Sequence, residues 1–395
     1  MSRHKSRNRV VLAYALLLVL GAVGLSAYDI HMFLRAAGLL TRISHPTATG
    51  FLASYVVYAV DERSDDIQTP HGLIRGRVYM PVGVTNAPGM VVVHGVHRLG
   101  IDEPRLKAFA RDIAASGIVV FTPQLNDIAD YRITTESIDV IGESAQMLGS
   151  RVKSNKVGLF GLSFAGGLCL LAAADERYAN NIAYVVAVGA HDDLSRVSRF
   201  FVTNEIATPD GTLIRREAHE YGTLIIVYEH PDYFFSAKDA PIAKEVMRLE
   251  MAEQPDAART LAKRMTPAGL SKMRLLLEDR RSELNPELLS VLESRRDEMP
   301  QVSPTGRLQS LRANVLLLHG TDDAVIPAVE TLWLARSVPA DRLKRVLITP
   351  LLSHVDVGAD PPLAEQAALV DFIAEMLRES DAIRPRRDIA ARSSD

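Results

Sequence analysis

A serine stands in this sequence at the point where an apolar run gives way to small residues. Ser163 follows the apolar residues 157–160, with Gly161 two positions before it and Ala165 two positions after it. Small residues at these positions let a strand and a helix approach closely, which would place the hydroxyl at the apex of a sharp turn. A serine held in this way can attack an acyl carbon when a neighbouring base takes its proton.

Histidines and aspartates that could assist such a serine follow other apolar runs. They are His94 with His97, His191 with Asp192 and Asp193, Asp322 with Asp323, and His354. A histidine would act as the base, and a carboxylate would hold that histidine in its working tautomer. The pair at 94 and 97 also suggests a metal ion, but no carboxylate or third histidine lies beside it at metal-site spacing. We therefore expect no metal and no cofactor.

The elements that would position these residues alternate between short β-branched runs and longer helical patterns. Strands are predicted at residues 55–60, 73–80, 89–93, 118–122, 157–160, 183–188, 315–319 and 345–348. Several of these runs are apolar throughout, which is typical of parallel strands covered by helices on both faces. The alternation predicts an α/β protein with a mostly parallel eight-stranded sheet.

A long segment between the sixth and seventh predicted strands has a different composition. It is rich in Arg, Glu, Leu and Met, and its spacing predicts helices. We interpret residues 194–307 as a helical cap inserted into a core made of residues 51–193 and 308–378. The polar residues 379–395 predict a disordered tail.

The amino terminus has the pattern of a membrane anchor. Four basic residues precede the uncharged apolar residues 10–27, namely Arg3, Lys5, Arg7 and Arg9. As a helix this run would reach about 27 Å, close to the roughly 30 Å of a hydrocarbon core. We predict that residues 1–28 form a single-pass anchor with the rest of the chain outside the cytoplasm. A cleaved signal peptide, giving a secreted or periplasmic protein, is the alternative. Residues 29–50 suit a juxtamembrane helix that rests on headgroups or on the globular domain, and we predict that they serve as a linker.

The overall composition is that of an ordinary globular protein. Hydrophobic residues make up 47% and charged residues 24% of the chain. The net charge of −3 and a pI near 6.4 provide no basic field for a nucleic-acid partner. The single cysteine, Cys169, cannot form an intramolecular disulfide. The oligomeric state is not legible in the sequence.

Four segments together resemble the α/β-hydrolase superfamily, over roughly residues 55–193 and 308–378. Residues 157–167 resemble its nucleophile elbow, with alanine at 165 where the family has glycine. A strand ending in His-Gly at residues 91–97 is similar to the family's oxyanion loop, and residues 318–327 are similar to its strand-seven turn. The fourth segment, Leu351–Asp356, follows the eighth predicted strand, where the family has its catalytic histidine.

The resemblance implies a role for individual residues. Ser163 would be the nucleophile, His354 the base and Asp323 the acid, in the chain order typical of this fold. The N–H groups of Val96 and Phe164 would bind the oxyanion of the tetrahedral intermediate.

Some assignments stay open in the sequence. Asp322 adjoins Asp323, and Asp192 or Asp193 after the sixth strand is a rival acid. We expect His97, His191 and Asp192 to contact substrate, because ligands of open α/β sheets bind beyond the carboxyl ends of the strands.

Within the superfamily the chain looks most similar to serine esterases and dienelactone-hydrolase-like proteins. This implies that a small-molecule acyl substrate, a carboxylic ester, is cleaved through an acyl-enzyme. Thioesterases, peptidases and acyltransferases use the same triad, and the motifs do not separate them. A non-catalytic, membrane-anchored binding protein with this fold is a further alternative.

Overall fold

The computed structural model describes residues 27–70, 72–278, 280–352 and 362–385. The strands are β1 (Val60–Ser64), β2 (Ile67–Thr69), β3 (Gly72–Ile74), β4 (Gly76–Pro81), β5 (Gly89–Val93), β6 (Val119–Pro123), β7 (Val157–Leu162), β8 (Ile182–Val188), β9 (Glu205–Ala207), β10 (Leu213–Arg215), β11 (Asn314–Gly320) and β12 (Leu343–Thr349). The helices are α1 (27–44), α2 (Pro104–Ala115), α3 (Asn126–Ala129), α4 (Thr135–Arg151), α5 (Phe164–Ala174), α6 (Leu194–Thr203), α7 (Tyr221–Glu229), α8 (Pro231–Phe234), α9 (Ala240–Met251), α10 (Pro255–Ala262), α11 (Pro267–Leu277), α12 (Asn285–Ser294), α13 (Val329–Ser337) and α14 (Leu363–Ala382).

An eight-stranded sheet runs through the centre of the protein in the order β1-β4-β6-β5-β7-β8-β11-β12. β4 is antiparallel to both β1 and β6, and all other neighbours are parallel. The prediction of a mostly parallel eight-stranded sheet is confirmed. Because β5, β7, β8 and β11 point the same way, the loops after them meet at one edge of the sheet.

Both faces of the sheet are buried, and alternate residues of each strand serve different cores. In β5, Val91 and Val93 pack with α4 and α5 on one face, whereas Met90 and Val92 pack with α2 and α14 on the other. This burial on both sides explains why the central strands are apolar throughout.

The first predicted strand is misplaced. We expected it at residues 55–60, but β1 starts at Val60, and residues 51–56 form turns with Val56 at φ 51°. Within that apolar run Tyr55 contacts His31 of α1, whereas Val57 and Tyr58 are exposed. The edge strand β1 has the polar sequence of residues 60–64 because it is only partly covered.

The helical insertion lies between β8 and β11. It contains α6 to α12 and the small β9–β10 hairpin, and its apolar side chains form a third core. That core includes Phe164 from the start of α5 and Tyr131, so the insertion packs directly on the loops at the carboxyl edge of the sheet.

Both predicted terminal segments differ from expectation. Residues 29–50 were expected to be a linker, with a helix that rests on headgroups or on the globular domain. The helix α1 is instead part of the core, because Met32, Ala36 and Leu39 recur on one face and are buried there. The tail was expected to start at residue 379, but α14 continues to Ala382. The apolar run at residues 10–27 lies outside the described residues except for its last position. Within the described ranges no helix is long and apolar enough to cross a membrane.

Candidate active site

Ser163 lies at the carboxyl end of β7, at the apex of the turn into α5. Its backbone has φ 57° and ψ −136°, a region that a non-glycine residue occupies only when its surroundings enforce it. The Ser163 N–H donates to the Val188 carbonyl at 2.7 Å, and the Ser163 carbonyl accepts from the Gly166 N–H at 2.9 Å. The main chain therefore holds the serine firmly on both sides of its Cα.

Close approach of β7 and α5 explains the small residues around Ser163. A Cβ at Gly161 would lie 2.6 Å from the Gly166 Cα, and a Cβ at Gly166 would lie 2.7 Å from the Ala190 Cβ. Ala165, in contrast, is fully buried within the core between sheet and helices. Alanine at position 165, where the family has glycine, is accommodated because the positions crowded by β7 and α5 are 161 and 166.

Asp323 lies in the turn after β11 and is fully buried. Its Oδ1 accepts the N–H of Val325 at 2.8 Å and that of Ile326 at 2.9 Å. Asp322 is 74% exposed and pairs with Arg216 at 2.7 Å. Of the two neighbouring aspartates, the structure therefore places only Asp323 in the interior.

His319, near the end of β11, ties the Asp323 turn to α13. Its Nε2 donates to the Ile326 carbonyl at 2.7 Å, and its Nδ1 is 2.6 Å from the Thr331 hydroxyl. The same Nε2 lies 3.4 Å from Asp323 Oδ2. The sequence analysis gave this histidine no role, although the His-Gly ending of an apolar strand was the signal that could have done so.

His354 lies outside the described residues. The chain is described as far as Leu352, just after β12. The contact of His354 with Ser163 and Asp323 therefore stays a prediction.

The loop after β5 is held against the serine by a buried histidine. His94 Nε2 accepts the Leu125 N–H at 3.0 Å, so Nδ1 bears the proton and donates to the Gly95 carbonyl at 2.9 Å. Burial lowers the pKa of His94 to about 4, which keeps the ring neutral. A Cβ at Gly95 would lie 3.2 Å from the Ser163 Cβ, so this loop runs directly past the nucleophile candidate.

A cavity of about 390 Å³ lies between the sheet loops and the insertion. Val96 and Phe164, the two candidate oxyanion-hole residues, both line it. Phe201, Ile225 and Leu292 from the insertion contribute an apolar lining. Its size and apolar walls are those of a small-molecule site.

One part of the cavity is charged, which the sequence analysis missed. Glu229, His230 and Arg295 line it together, and Arg295 Nη1 lies 3.0 Å from His230 Nε2. Burial raises the pKa of Glu229 to about 7 against the opposing charge of Arg295. Burial, with that same guanidinium, lowers the pKa of His230 to about 4. No sequence signal separates these residues from the many solvated charges of helices.

The three predicted substrate contacts are not among the residues that line this cavity. His97 lies half-buried in the loop after β5, where its Nδ1 accepts the Leu99 N–H at 3.3 Å. His191 is fully buried, and its Nε2 donates to the Val302 carbonyl at 2.9 Å while its ring packs 5.3 Å from that of Phe164. It therefore packs behind Phe164, a candidate oxyanion-hole residue.

Asp192 belongs to a buried ionic network on the outer side of the sheet edge. Its carboxylate accepts from Arg196 at 3.0 Å and from Ser337 at 2.8 Å, and Arg196 also pairs with Glu330 at 2.5 Å. The other rival acid, Asp193, caps α6 by accepting the Ser195 N–H at 2.8 Å. Both aspartates therefore have structural partners that account for them.

Among the residues that the structure describes, no group of three or more histidine, cysteine, aspartate or glutamate side chains is arranged to hold a metal ion. The only cysteine, Cys169, is buried in α5.

Three features define the α/β-hydrolase fold: the strand order, the antiparallel β4 in second place in the sheet, and the strand–serine–helix turn. No family model and no curated protein sequence matches the chain. The esterase of Pyrobaculum calidifontis is similar in structure, with 16% identity, a TM-score of 0.44, and coverage of 89% of this chain and 91% of the esterase.

Two peptidases give similar values. A puromycin-hydrolyzing peptidase of Mycobacterium tuberculosis has 14% identity and a TM-score of 0.49, covering 83% of this chain and 40% of the peptidase. An acylaminoacyl peptidase has 13% identity and a TM-score of 0.47, covering 83% and 43%. This chain thus spans less than half of either peptidase. At such identities the likenesses carry no inference about substrate, and the fold assignment rests on the topology.

Proposed function

We propose that this chain is a serine hydrolase that cleaves a carboxylic ester through an acyl-enzyme. The observation that supports this most strongly is the enforced backbone of Ser163, directly before a residue that lines the cavity. The conformation of Ser163 costs about 1 to 3 kcal/mol. Backbone strain of this size is typical of functional sites, and Phe164, the next residue, lines the cavity between the sheet edge and the helical insertion.

In the proposed mechanism, His354 takes the proton of the Ser163 hydroxyl as the serine oxygen bonds to the acyl carbon. Asp323 holds the imidazole in its tautomer and stabilises the imidazolium. The N–H groups of Val96 and Phe164 bind the oxyanion. The alcohol leaves with the proton from His354, and water then releases the acid by the same steps in reverse order.

Ester turnover by matched serine variants tests this proposal. Ser163→Ala should lower kcat for p-nitrophenyl esters by more than about a thousandfold. Ser144→Ala is the control, because Ser144 is equally buried but lies in α4, where its hydroxyl donates to the Val140 carbonyl at 2.7 Å. Equal loss in both variants, or no turnover by the folded parent, would oppose the proposal. Faster acyl transfer to an added alcohol than to water would favour the acyltransferase alternative.

We further propose that residues 10–27 anchor the chain in a membrane, with the hydrolase domain outside the cytoplasm. The support is the uncharged run behind four basic residues. Retention of the full chain in membranes after alkaline extraction tests the anchor, and release of the chain into the soluble fraction would oppose it.

A further inference from the structure

The outward face of α1 has no partner within the described residues. Ile30, Phe33 and Leu34 recur at the spacing of one helix face, and the side opposite to them is buried in the core. Ile30 is 60% exposed and Phe33 is 43% exposed. A helix that is apolar on its outward as well as its inward face is one that something else covers.

Each charged side chain of α1 has a partner elsewhere in the protein. Asp29 pairs with Arg378 at 3.2 Å, and Arg35 pairs with Asp381 at 2.6 Å. Arg42 donates to the Ala53 carbonyl at 3.2 Å. Because these charges bind the helix to the rest of the protein, they fix α1 in place and leave its outer face uncharged.

Aromatic residues extend the apolar face on both sides. Phe51, 66% exposed, lies 5.4 Å from the ring of Tyr55, whose hydroxyl is 3.0 Å from His31 Nδ1 on α1. Tyr28 is exposed at the start of the helix. Tyrosine is enriched where a protein meets the headgroup region of a bilayer, and phenylalanine is typical of the apolar face of helices that lie at this boundary.

We propose that this surface, made of Tyr28, Ile30, Phe33, Leu34 and Phe51, lies in the headgroup region of a lipid bilayer. The occupant follows from the chain itself, because the apolar run of residues 10–27 ends where α1 begins. A segment that leaves the hydrocarbon at residue 27 delivers the next helix to the interface. The inference rests on the proposed anchor and is independent of the hydrolase chemistry.

The outward face of α1 lies at the opposite edge of the sheet from Ser163. Arg35 donates to the carbonyl of Ser116, just before β6, and pairs with the end of α14. That end lies beside the first residue of β11, since Asn314 donates to Glu379 at 2.9 Å. These contacts are at the amino-terminal edge of the sheet, whereas Ser163 is at the carboxyl edge. The six residues of β7 separate the two edges by about 20 Å.

Site-specific fluorescence in vesicles tests the surface. The full chain is reconstituted into phosphatidylcholine and phosphatidylglycerol vesicles with an environment-sensitive fluorophore on Ile30→Cys. Leu213→Cys in β10 is the matched control, because Leu213 is also 60% exposed but lies in the insertion. Native Cys169 is fully buried, and burial raises the pKa of its thiol, so it stays unlabelled.

The label at residue 30 should lose most of its emission to nitroxide-bearing lipids and little to aqueous iodide, and the label at 213 should do the opposite. Equal iodide quenching at both positions would overturn the proposal. Protection of residue 30 from both quenchers would also overturn it, because a second copy or residues 1–26 would then cover the face. Flotation of the same samples reports separately on the anchor, and ester turnover reports separately on the hydrolase.

Discussion

His94 is neutral in the folded protein because its ring is buried, which disfavours the charged imidazolium more than the hydrogen bond to the Gly95 carbonyl favours it. Burial lowers its pKa from the ordinary 6.5 to about 4. The unfolded chain therefore binds a proton more readily than the folded chain between these two pH values. Its contribution to stability is fully present above pH 6.5 and decreases by about 3 kcal/mol as the pH falls through this range.

His94→Asn should remove that pH dependence. The variant loses the acceptor for the Leu125 N–H, which costs about 1 to 3 kcal/mol near neutral pH. Because only the parent protein loses stability as His94 takes up a proton, the difference in the free energy of unfolding between parent and variant should shrink toward pH 4. Urea unfolding of both proteins across this range measures it. His230 has the same shift and is present in both proteins, so its effect cancels. An unchanged difference at every pH would refute this account of His94.

Glu229 should make substrate affinity depend on pH. Its pKa of about 7 means that the carboxyl becomes charged as the pH rises through neutrality. Because an apolar acyl chain in the cavity disfavours the charged form, KM for such an ester should increase severalfold between about pH 6 and about pH 8. In Glu229→Gln the KM should stay flat. Initial-rate kinetics of both proteins measure KM across this pH range. An equal increase of KM in the variant would show that a group other than Glu229 is responsible.

Single residues differ in how far the sequence could assign them. Ser163 and Asp323 lie directly after apolar strands, so their positions at the sheet edge could be predicted from local pattern alone. His191 and Asp192 also follow a strand, but their contacts come from Val302 and Ser337, which are more than a hundred residues away. A short motif cannot show which of two neighbouring polar residues points into a cavity and which packs behind it.

At the scale of elements, the contact between β7 and α5 determines the serine's geometry. Gly161→Ala forces a Cβ to within 2.6 Å of the helix backbone, so the helix must move away from the strand. We expect a loss of about 2 to 4 kcal/mol in stability together with most of the activity. Ala165→Gly is the control, with a smaller cost of about 1 to 2 kcal/mol, from helix propensity and one lost buried methyl group, and with activity retained. Thermal unfolding and ester turnover of both variants measure this, and a harmless Gly161→Ala would mean that the turn is less crowded than described.

The central strands could be predicted because burial on both faces leaves a continuous apolar run. β1 could not, since a partly covered edge strand has the polar sequence Val60–Ser64, and the apolar run before it forms no strand. The helices of the insertion were also legible from their spacing. Their arrangement was not, because it depends on a third core assembled from side chains far apart in the chain.

At the scale of the whole molecule, α1 and the cavity lie at opposite edges of the sheet. If the outward face of α1 contacts the bilayer, the cavity receives substrate from water. The full chain in vesicles should therefore hydrolyse a water-soluble butyrate ester about as fast as it does in detergent. An ester of a long acyl chain embedded in the same bilayer should react at least about tenfold more slowly than when it is dispersed in detergent. Comparable rates for the embedded ester would show that the cavity reaches the membrane.

The sequence did not show that α1 is part of the folded core. Its core contacts come from Met32, Ala36 and Leu39 together with three partly buried residues, and the ion pairs that hold it reach Arg378 and Asp381 at the other end of the chain. A helix between an apolar run and a globular domain has the same composition whether it is a spacer or a packed element. Only the three-dimensional contacts distinguish the two.

Fluorophosphonate labelling of the full chain tests the central claim most directly. The reagent reacts with a serine only when a neighbouring base activates it and an oxyanion site stabilises the adduct. We predict a single adduct on the peptide that contains Ser163, lost in Ser163→Ala and kept in Ser144→Ala. No adduct on the folded parent protein, or an adduct at another serine, would contradict the assignment of Ser163 as the nucleophile of a hydrolase.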